Sequence, residues 1–485
     1  MNTLLNAMKN ETNFSRTTNG ALAHKSTLNA VYDMFAFGGA YRLRSDADVL
    51  TLFSKAFIES PTYALKCLFY LRDIRGGQGE RRFFRLCVKW LAKNYPEVIK
   101  RNIPNFPEYG RWDDLYELVG TPCENEAFNF MKNQLELDST CKTPSLLAKW
   151  LKSENASSKE TQRLGTLTRS HFNMSPRQYR KALSTLRSRI NIVEKLMSEN
   201  RWDEIEFDKL PSKAGLIYKN AFARRDIIAE KYKKFASDKD TKVNATTLYP
   251  YEVVEKAIQA RHGSPTDRNI VNKYWENLED YFDDATLNAL AMVDTSGSMT
   301  WGSSPRPIDV AISLGLYCAE RAKGPFANHY ISFSSMPQLI ECSGYDFCDK
   351  VFRIYKTNLC SNTNLEKAFD MILNVAKYNH LKQSDLPEKI IVISDMQIDL
   401  MTVNGEPSLT DMERLRLSWA YEGYKMPKLV YWNVNATQDT VLDGANGVTY
   451  VSGCSPVIFD MIMTGKTGID MMKEKLDGDR YKEIY

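Results

Sequence analysis

Histidine is scarce and Cys-x-x-Cys pairs are absent in this chain of 485 residues, which leaves several classes of chemistry without support. The five histidines are isolated from one another and no Gly-x-Ser-x-Gly motif accompanies them, so nothing argues for a hydrolase. The nine cysteines include no Cys-x-x-Cys pair, which indicates neither a zinc site nor a disulfide framework. Reduced, buried thiols are therefore expected.

Long apolar runs are also missing. No stretch approaches the roughly 18 apolar residues of a membrane-spanning helix, and the opening residues MNTLLNAMKNETNF lack the apolar centre of a signal peptide. Hydrophobic residues nevertheless make up 43% of the chain, enough for large cores. The sequence predicts a cytoplasmic protein of several domains with no membrane partner.

Charge is divided unevenly along the chain. Residues 1 to 250 contain 41 Lys and Arg against 28 Asp and Glu, a balance of +13, whereas residues 251 to 485 contain 23 against 32, a balance of −9. A basic region is the electrostatic footprint of a polyanionic partner such as nucleic acid, although solvated helix faces also collect charge. Both interpretations stay open on charge alone.

The stretch from Leu287 to Met299, LNALAMVDTSGSM, combines a buried strand with a cluster of oxygen-bearing side chains. Its apolar residues predict a strand buried on both faces, which ends after Val293. Parallel sheets bind ligands beyond the carboxyl ends of their strands, so Asp294, Ser296 and Ser298 can converge on one cation. Hard oxygen ligands favour Mg²⁺, or another divalent cation such as Mn²⁺ or Ca²⁺, over zinc.

Two later segments can complete this cluster. The residues KIIVIS form a second β-branched strand that ends at Asp395, and the residues CSNT place Thr363 just before a helix. The combined pattern resembles the metal-ion-dependent adhesion site of von Willebrand factor A domains. The resemblance implies metal ligation by Asp294, Ser296, Ser298, Thr363 and Asp395. The alternative is an ordinary strand-to-helix turn in which a serine caps the helix.

Helical periodicity dominates from Thr27 to about Tyr281. Apolar residues recur at spacings of three and four in short units separated by Gly, Pro and Asn, and strand signals are almost absent. Many short amphipathic helices joined by tight turns are typical of an α-solenoid of divergent helix pairs. The units include residues 46–60, 61–74, 80–95, 125–137, 145–152, 176–197 and 214–235.

From about Ala285 the pattern changes to alternating strands and helices. This alternation predicts a doubly wound, Rossmann-like sheet with helices on both faces, as in von Willebrand A domains. A helix over residues 455–465 and a charged tail are expected to close the domain. The predicted strands are 287–294, 328–334, 389–395, 428–434 and 447–452, and the helices between them are 307–322, 363–378 and 410–424.

Three segments of the helical half concentrate basic side chains. Residues 71–82 surround a glycine turn with arginines, residues 142–155 place lysines on a short helix, and residues 175–189 mix arginines with a tyrosine. Arginine near aromatic rings can grip a phosphate backbone and stack on bases. Solvated helix faces are the alternative for any single residue. The candidate phosphate contacts are Arg72, Arg75, Arg81, Lys149, Arg177, Arg180 and Arg187.

The segments RDIRGGQGERRFF, PEYGRWDDLYEL, SLLAKWLKSEN and YRKALSTLR resemble a domain family of unassigned function in eukaryotes and large DNA viruses. That family is related to the TROVE module of Ro ribonucleoproteins. The resemblance runs from about Tyr32 to Tyr281 and continues into the second half. It implies a closed ring of HEAT-like helical repeats beside a von Willebrand A domain. It also implies binding of small structured RNAs outside the ring and single-stranded RNA ends in its hole.

These observations predict a multidomain α and α/β protein: an N-terminal arm (1–25), a TROVE-like HEAT-repeat ring (26–284) and a von Willebrand A domain (285–485). The expected function is non-catalytic RNA binding as a Ro-like ribonucleoprotein component, in the host cytoplasm if the source is viral. The rival is a metal-dependent protein-protein interaction adaptor or structural protein, whose cation recruits an acidic side chain of a partner. A nuclease is a third interpretation, but the site offers no second metal or general base.

Overall fold

The structure is a computed structural model. It describes residues 12–16, 22–190, 193–282, 288–302, 304–333, 336–357, 365–395, 411–436, 441, 448–463, 466 and 468–485. Helices form the first part of the chain, and a six-stranded sheet with flanking helices forms the second. The predicted fold class, a helical part followed by a doubly wound α/β domain, is confirmed. Closure of the helical part into a ring stays a prediction.

The helical part begins with a short antiparallel pair, β1 (Phe14–Arg16) and β2 (Leu22–His24). Turns of 3-10 helix connect several of its helices, the longest at Trp112–Leu118. Its α-helices are α1 Ala30–Phe37, α2 Asp46–Glu59, α3 Pro61–Arg72, α4 Arg81–Asn94, α5 Pro96–Asn102, α6 Phe106–Tyr109, α7 Glu124–Thr140, α8 Leu147–Trp150, α9 Lys159–His171, α10 Pro176–Arg189, α11 Val193–Ser198, α12 Ser212–Arg224, α13 Asp226–Ser237, α14 Pro250–Gln259 and α15 Pro265–Glu276.

Capping residues in the sequence explain where several of these helices begin. Ser45 and Asp48 exchange side-chain and backbone hydrogen bonds at the start of α2, which satisfies two backbone N–H groups that the helix leaves open. Ser175 and Gln178 do the same for α10. Proline occupies the first position of α10, where its missing N–H costs nothing.

Two of the periodic runs are each divided into two helices, contrary to the sequence expectation. The run 214–235 breaks because Arg225 is extended, with φ −89° and ψ 108°, between α12 and α13. The run 176–197 breaks after α10, where Ile190 is also extended. Hydrophobic spacing continues through both breaks, so periodicity alone cannot detect them.

The α/β domain contains all five predicted strands. The sequence pattern does not predict β5, which is too short to show alternation, or α17. Its elements are β3 Ala289–Asp294, α16 Pro307–Arg321, β4 His329–Phe333, β5 Leu339–Glu341, α17 Phe347–Thr357, α18 Leu365–Tyr378, β6 Lys389–Ser394, α19 Asp411–Tyr421, β7 Lys428–Asn433, β8 Val448–Ser452, α20 Ile458–Met463 and α21 Gly468–Asp477.

The sheet has the order β5-β4-β3-β6-β7-β8. All neighbouring pairs are parallel except β4 and β5, which are antiparallel. The chain moves outward from β3 to β4 on one side and later returns to β6 on the other side. The boundary between β3 and β6 is therefore the topological switch point, where open α/β sheets bind their ligands.

The residues that follow α21 form one of the contacts between the two parts of the chain, in addition to those of α14 with α16 and of α1 with β8. We call Arg480–Tyr485 the C-terminal clasp. The Tyr481 hydroxyl donates a hydrogen bond to Asp73 Oδ2 at 3.0 Å, and its ring stacks on Tyr109 with centroids 5.6 Å apart. Asn102 Nδ2 donates to the Tyr485 carbonyl oxygen at 2.7 Å. Within the described ranges, no helix combines the length and the apolar character needed to cross a membrane.

Candidate metal site and basic surface

Two of the predicted metal ligands lie side by side at the switch point of the sheet. Asp294 is the last residue of β3, and Asp395 follows β6 directly. The two strands are parallel neighbours in register, with Val293 opposite Ile393. The sheet therefore brings the two carboxylates to the same edge, and both residues are buried.

Hydroxyl groups surround the carboxylate of Asp294. Ser296 donates its backbone N–H to Asp294 Oδ1 at 2.9 Å, and Ser394 Oγ donates to Oδ2 at 2.5 Å. The hydroxyl oxygens of Ser296 and Ser298 are 3.1 Å apart. The sequence pattern did not single out Ser394 as a neighbour of Asp294. Its position as the last residue of β6, just before the predicted ligand Asp395, could have indicated that it lies at the site.

Burial and the nearby Asp395 raise the pKa of Asp294 to about 7. Two carboxylates in a low-dielectric position repel each other, and a divalent cation between them removes that penalty. Within the described residues, no three His, Cys, Asp and Glu side chains come together, so a cation here depends on hydroxyl ligands as well. The buried carboxylates and adjacent serine hydroxyls fit a hard cation such as Mg²⁺.

The remaining predicted ligand, Thr363, lies outside the described residues. Of the predicted five, the structure places Asp294 at the end of β3, Ser296 and Ser298 in the turn that follows it, and Asp395 directly after β6.

The prediction that Arg72 contacts phosphate is wrong. Only 2% of Arg72 is exposed, and its Nε donates to Asp114 Oδ2 at 2.8 Å. Arg85 Nε donates to the other oxygen of the same carboxylate at 2.7 Å. Burial of a cation requires a partner of this kind, so Arg72 is a structural residue of the helical core.

Arg75 is exposed but holds the protein's own chain. Its Nη1 donates to the Glu108 carbonyl oxygen at 2.8 Å, and the Glu108 carboxylate lies 3.7 Å from the same nitrogen. Arg75 therefore offers a weaker phosphate contact than its exposure alone indicates, because a ligand would have to displace these partners.

The glycine turn after Arg75 is packed inside the protein rather than open to a ligand. A Cβ atom on Gly77 would lie 2.0 Å from the Tyr70 carbonyl oxygen, and one on Gly79 would lie 2.0 Å from the Tyr249 hydroxyl. Gly79 also has a φ of +67°, which favours glycine. These glycines permit close packing between protein segments, so the turn itself leaves no space for a ligand at Gly77 and Gly79.

Arg187 is also a structural residue, contrary to the prediction. Its guanidinium donates to the carbonyl oxygens of Ala148 and Leu151 and to Ser153 Oγ, all at 2.8 to 2.9 Å. These bonds satisfy carbonyl oxygens around the short helix α8, whose single turn cannot do so itself. The guanidinium of Arg187 therefore fixes α8 against α10.

The other predicted basic residues are exposed. Arg81 begins α4, Lys149 lies on α8, and Arg177 and Arg180 lie one turn apart on α10. Tyr179, between the last two, is buried and donates its hydroxyl to the Lys152 carbonyl oxygen at 2.8 Å, which joins α10 to the end of α8. These exposed cations thus belong to neighbouring elements of the helical part.

An arginine and a tryptophan that the sequence did not single out lie beside them. The Arg111 guanidinium is centred 3.9 Å from the Trp150 ring, and Lys149 Nζ lies 5.9 Å from the same ring. Arg111 is also paired with Asp113, at 2.7 Å between Nη2 and Oδ2. Because the two residues are far apart in sequence, no local spacing could have predicted this stack.

Comparison with known families assigns the chain. A family model described as a domain of unknown function, DUF2828, matches residues 17–166 and 138–286, more than half of the chain. The chain belongs to the DUF2828 family. A second domain of unknown function, DUF7788, matches residues 288–484.

Two known proteins are similar over most of their length. The uncharacterized protein L728 of Acanthamoeba polyphaga mimivirus is 30% identical over 499 residues, which cover 94% of this chain and 85% of that protein. The predicted resemblance to a family of unassigned function that includes large DNA viruses is thus confirmed. The crystal structure of the Deinococcus radiodurans Ro (RSR) protein aligns with 91% of this chain and 100% of that one, at 13% identity and a TM-score of 0.46.

Proposed function

We propose that this DUF2828 protein binds single-stranded RNA, without catalysis, on an exposed basic surface of its helical part. The charge balance supports this location, since residues 1 to 250 carry +13 and the remainder −9. Arg72 and Arg187 take no part, because both hold the protein's own chain. What we call the basic surface consists of Arg81, Arg111, Lys149, Trp150, Arg177 and Arg180.

The observation that carries the proposal is the environment of Arg81. Partial burial, together with repulsion from Arg111 and Arg85, lowers its pKa. Attraction by Asp113 offsets part of this effect, but no carboxylate in the described part of the chain forms a direct ion pair with Arg81. A cation held beside other cations is stabilised by an anionic ligand, and a phosphate group is an anion that arginine binds well.

Trp150 supports RNA rather than an isolated phosphate as the ligand. Trp150 is half-buried, and Arg111 lies over its indole ring and fixes it near the cations, while the charge of Arg111 is balanced by Asp113. Nucleic-acid bases stack on aromatic rings, and stacking requires bases that are not already paired in a duplex. The combination of exposed cations and one ring therefore favours a single strand.

We further propose that Asp294, Ser296, Ser298 and Asp395, with Thr363, hold a divalent cation, preferably Mg²⁺. A bound cation with an open position can accept a carboxylate from an acidic protein partner. Asp294 and Asp395 supply the negative charge, and the serine hydroxyls complete the oxygen set. Because this site lies in the acidic part of the chain, RNA binding on the basic surface should not require the metal.

The experiment measures RNA affinity against salt concentration with fluorescein-labelled polyuridine. A variant with Arg81, Lys149, Arg177 and Arg180 all changed to Gln should flatten the slope of log affinity against log salt by about 2.8, or about 0.7 for each phosphate that the variant no longer neutralises. The control changes four exposed lysines of the α/β domain to Gln and should leave the slope unaltered. The control lysines are Lys382, Lys425, Lys428 and Lys473.

Three outcomes would contradict the proposal. Equal slopes for the two variants would remove these residues from any RNA site. Equal affinity for a duplex RNA would contradict the role of stacking on Trp150, and preference for polydeoxythymidine would reassign the ligand to DNA.

Purified protein should also carry nucleic acid, detected as a raised ratio of absorbance at 260 to that at 280 nm before any nuclease treatment.

A further inference from the structure

The edge of the sheet at β5 is open. β5 pairs with β4 on one side only, and no other strand within the described ranges lies beside it. The opposite edge of the sheet differs, since the Tyr32 hydroxyl of α1 bonds to the backbone N–H of Tyr450 in β8 at 3.1 Å. An open edge presents backbone groups that another extended chain can pair with.

The ladder between β4 and β5 shows which backbone groups face outward. Ser332 N–H donates to the Gln338 carbonyl oxygen at 2.9 Å, and Cys342 N–H donates to the Asn328 carbonyl oxygen at 2.7 Å. Antiparallel strands alternate between residues whose N–H and C=O point to the partner and residues whose groups point away. Leu339 and Glu341 lie at the alternate positions, so their N–H and C=O groups point away from β4.

Two apolar side chains are exposed along this edge, beside the exposed and charged Glu341. Leu339 is 56% exposed and Met336, just before it, is 76% exposed. Proteins commonly protect edge strands with charged residues, proline or a covering helix, because an exposed apolar edge pairs with other chains. Glu341 and Pro337 protect part of this edge, whereas Leu339 and Met336 leave apolar surface exposed to a partner.

A cavity of about 80 Å³ lies next to this edge. It is larger than the roughly 10–15 Å³ that holds one water molecule. Its apolar walls are formed by Ile340 of β5, Ile354 of α17, Tyr330 and Cys342. A water molecule there would find few hydrogen-bonding partners. A small branched aliphatic side chain fits this volume and chemistry better than water does.

Charged groups lie at the mouth of the same cavity. Arg353 is exposed and its guanidinium is centred 4.1 Å from the ring of Tyr345. Lys350 also lines the cavity, but it is paired with Glu320 at 2.8 Å. Arg353 is the exposed cation at the mouth of the cavity, and its position allows it to meet an acidic group on a ligand beside β5.

We propose that β5 binds an extended peptide segment of a partner protein, which adds a strand to the sheet. The outward N–H and C=O groups of Leu339 and Glu341 would pair with the peptide backbone, as in other complexes formed by strand addition. One branched aliphatic side chain of the peptide enters the cavity, and an adjacent acidic side chain reaches Arg353. This site is separate from both the basic surface and the metal ligands.

The test uses the full chain and a fluorescein-labelled heptapeptide of alternating valine and glutamate with blocked ends, followed by fluorescence anisotropy. Two further probes are the same peptide with N-methyl groups. One is methylated on the odd-numbered amides and the other on the even-numbered amides. Strand addition predicts that one set abolishes binding and the other leaves it intact, because only alternate amides face β5. Equal effects of the two sets, or no binding of the parent peptide, would overturn the proposal.

Two variants of Leu339 locate the site on the protein. Leu339→Pro removes one outward N–H that β4 does not use, and should weaken binding about tenfold, whereas Leu339→Ala keeps the N–H and should retain most of the affinity. Unchanged thermal unfolding of both variants is required for this comparison. Arg353→Gln should weaken the glutamate peptide but not a valine-threonine peptide.

The same experiment distinguishes other occupants. Loss of peptide binding in EDTA would place the peptide at the metal site and overturn the assignment to β5. Dimers detected by light scattering that dissociate on Leu339→Pro would show that β5 pairs with a second copy of the chain instead. Equal affinity of wild-type and Leu339→Pro protein would place the peptide elsewhere on the molecule.

Discussion

Two arginines in one basic segment should respond to the same substitution in opposite ways. Arg72→Gln removes a cation that is 2% exposed and bonded to the fully buried carboxylate of Asp114. Arg81→Gln removes an exposed cation that forms no ion pair with any of the described residues. We expect the first change to lower stability and the second to lower RNA affinity.

The magnitudes follow from the partners that remain. Removing one member of a buried ion pair costs about 3–5 kcal/mol. Asp114 keeps the Arg85 guanidinium at 2.7 Å and the Arg111 backbone N–H at 3.1 Å, so the cost of Arg72→Gln should lie near the lower value, about 3 kcal/mol. For domains of this size that cost lowers the unfolding midpoint by roughly 6–12 °C. Arg81→Gln should change stability by no more than about 0.5 kcal/mol.

Calorimetric unfolding and RNA anisotropy at several salt concentrations, applied to both variants, separate the two effects. Arg81→Gln should flatten the salt slope by about 0.7, while Arg72→Gln leaves the slope unchanged once measured well below its unfolding midpoint. An Arg72→Gln protein with wild-type stability and a flattened slope would refute the reasoning. It would mean that Arg72 faces a ligand rather than Asp114.

Three further predictions concern other contacts. Mg²⁺ should raise the unfolding midpoint more at about pH 8 than at about pH 6. Asp294 has a pKa of about 7, so it is mostly protonated at the lower pH, and the proton competes with the cation. Asp294→Ala should abolish this shift in a calorimetric titration. Arg187→Met should lower the free energy of unfolding in urea by about 2–3 kcal/mol, because three acceptor oxygens lose their donor. The control Arg180→Met should change it by less than about 0.5 kcal/mol. Arg480→Ala should increase hydrogen exchange in the turn after Asp73 without altering exchange in β3 and β6.

The parts of the fold that repeat a strong pattern are predicted well from the sequence. The strands β3 and β6 are continuous apolar runs that end in polar residues, and both are confirmed almost to the residue. Their carboxyl-terminal ends also place Asp294 and Asp395 at one edge, because parallel strands share a direction. β5 escapes prediction because a strand of three residues contains too few positions to show a period.

The role of each arginine is not predictable in the same way. Arg72, Arg75 and Arg81 share a segment, yet one is buried, one holds a neighbouring turn and one is exposed. What separates them are two distant residues that the fold brings near: Asp114, which binds Arg72, and Glu108, which binds Arg75. Composition shows that a region is basic, but long-range pairing decides which of its charges are available to a ligand.

The C-terminal clasp has a consequence for the order in which this protein can be completed during synthesis. Asp73 ends α3 near the start of the chain, yet its partners Arg480 and Tyr481 are translated only after the whole of the α/β sheet. Until then the Asp73 carboxylate lacks its cation Arg480, and the clasp residues that contact it in the complete protein are absent. The helical part should therefore reach its final stability only after the α/β domain has left the ribosome.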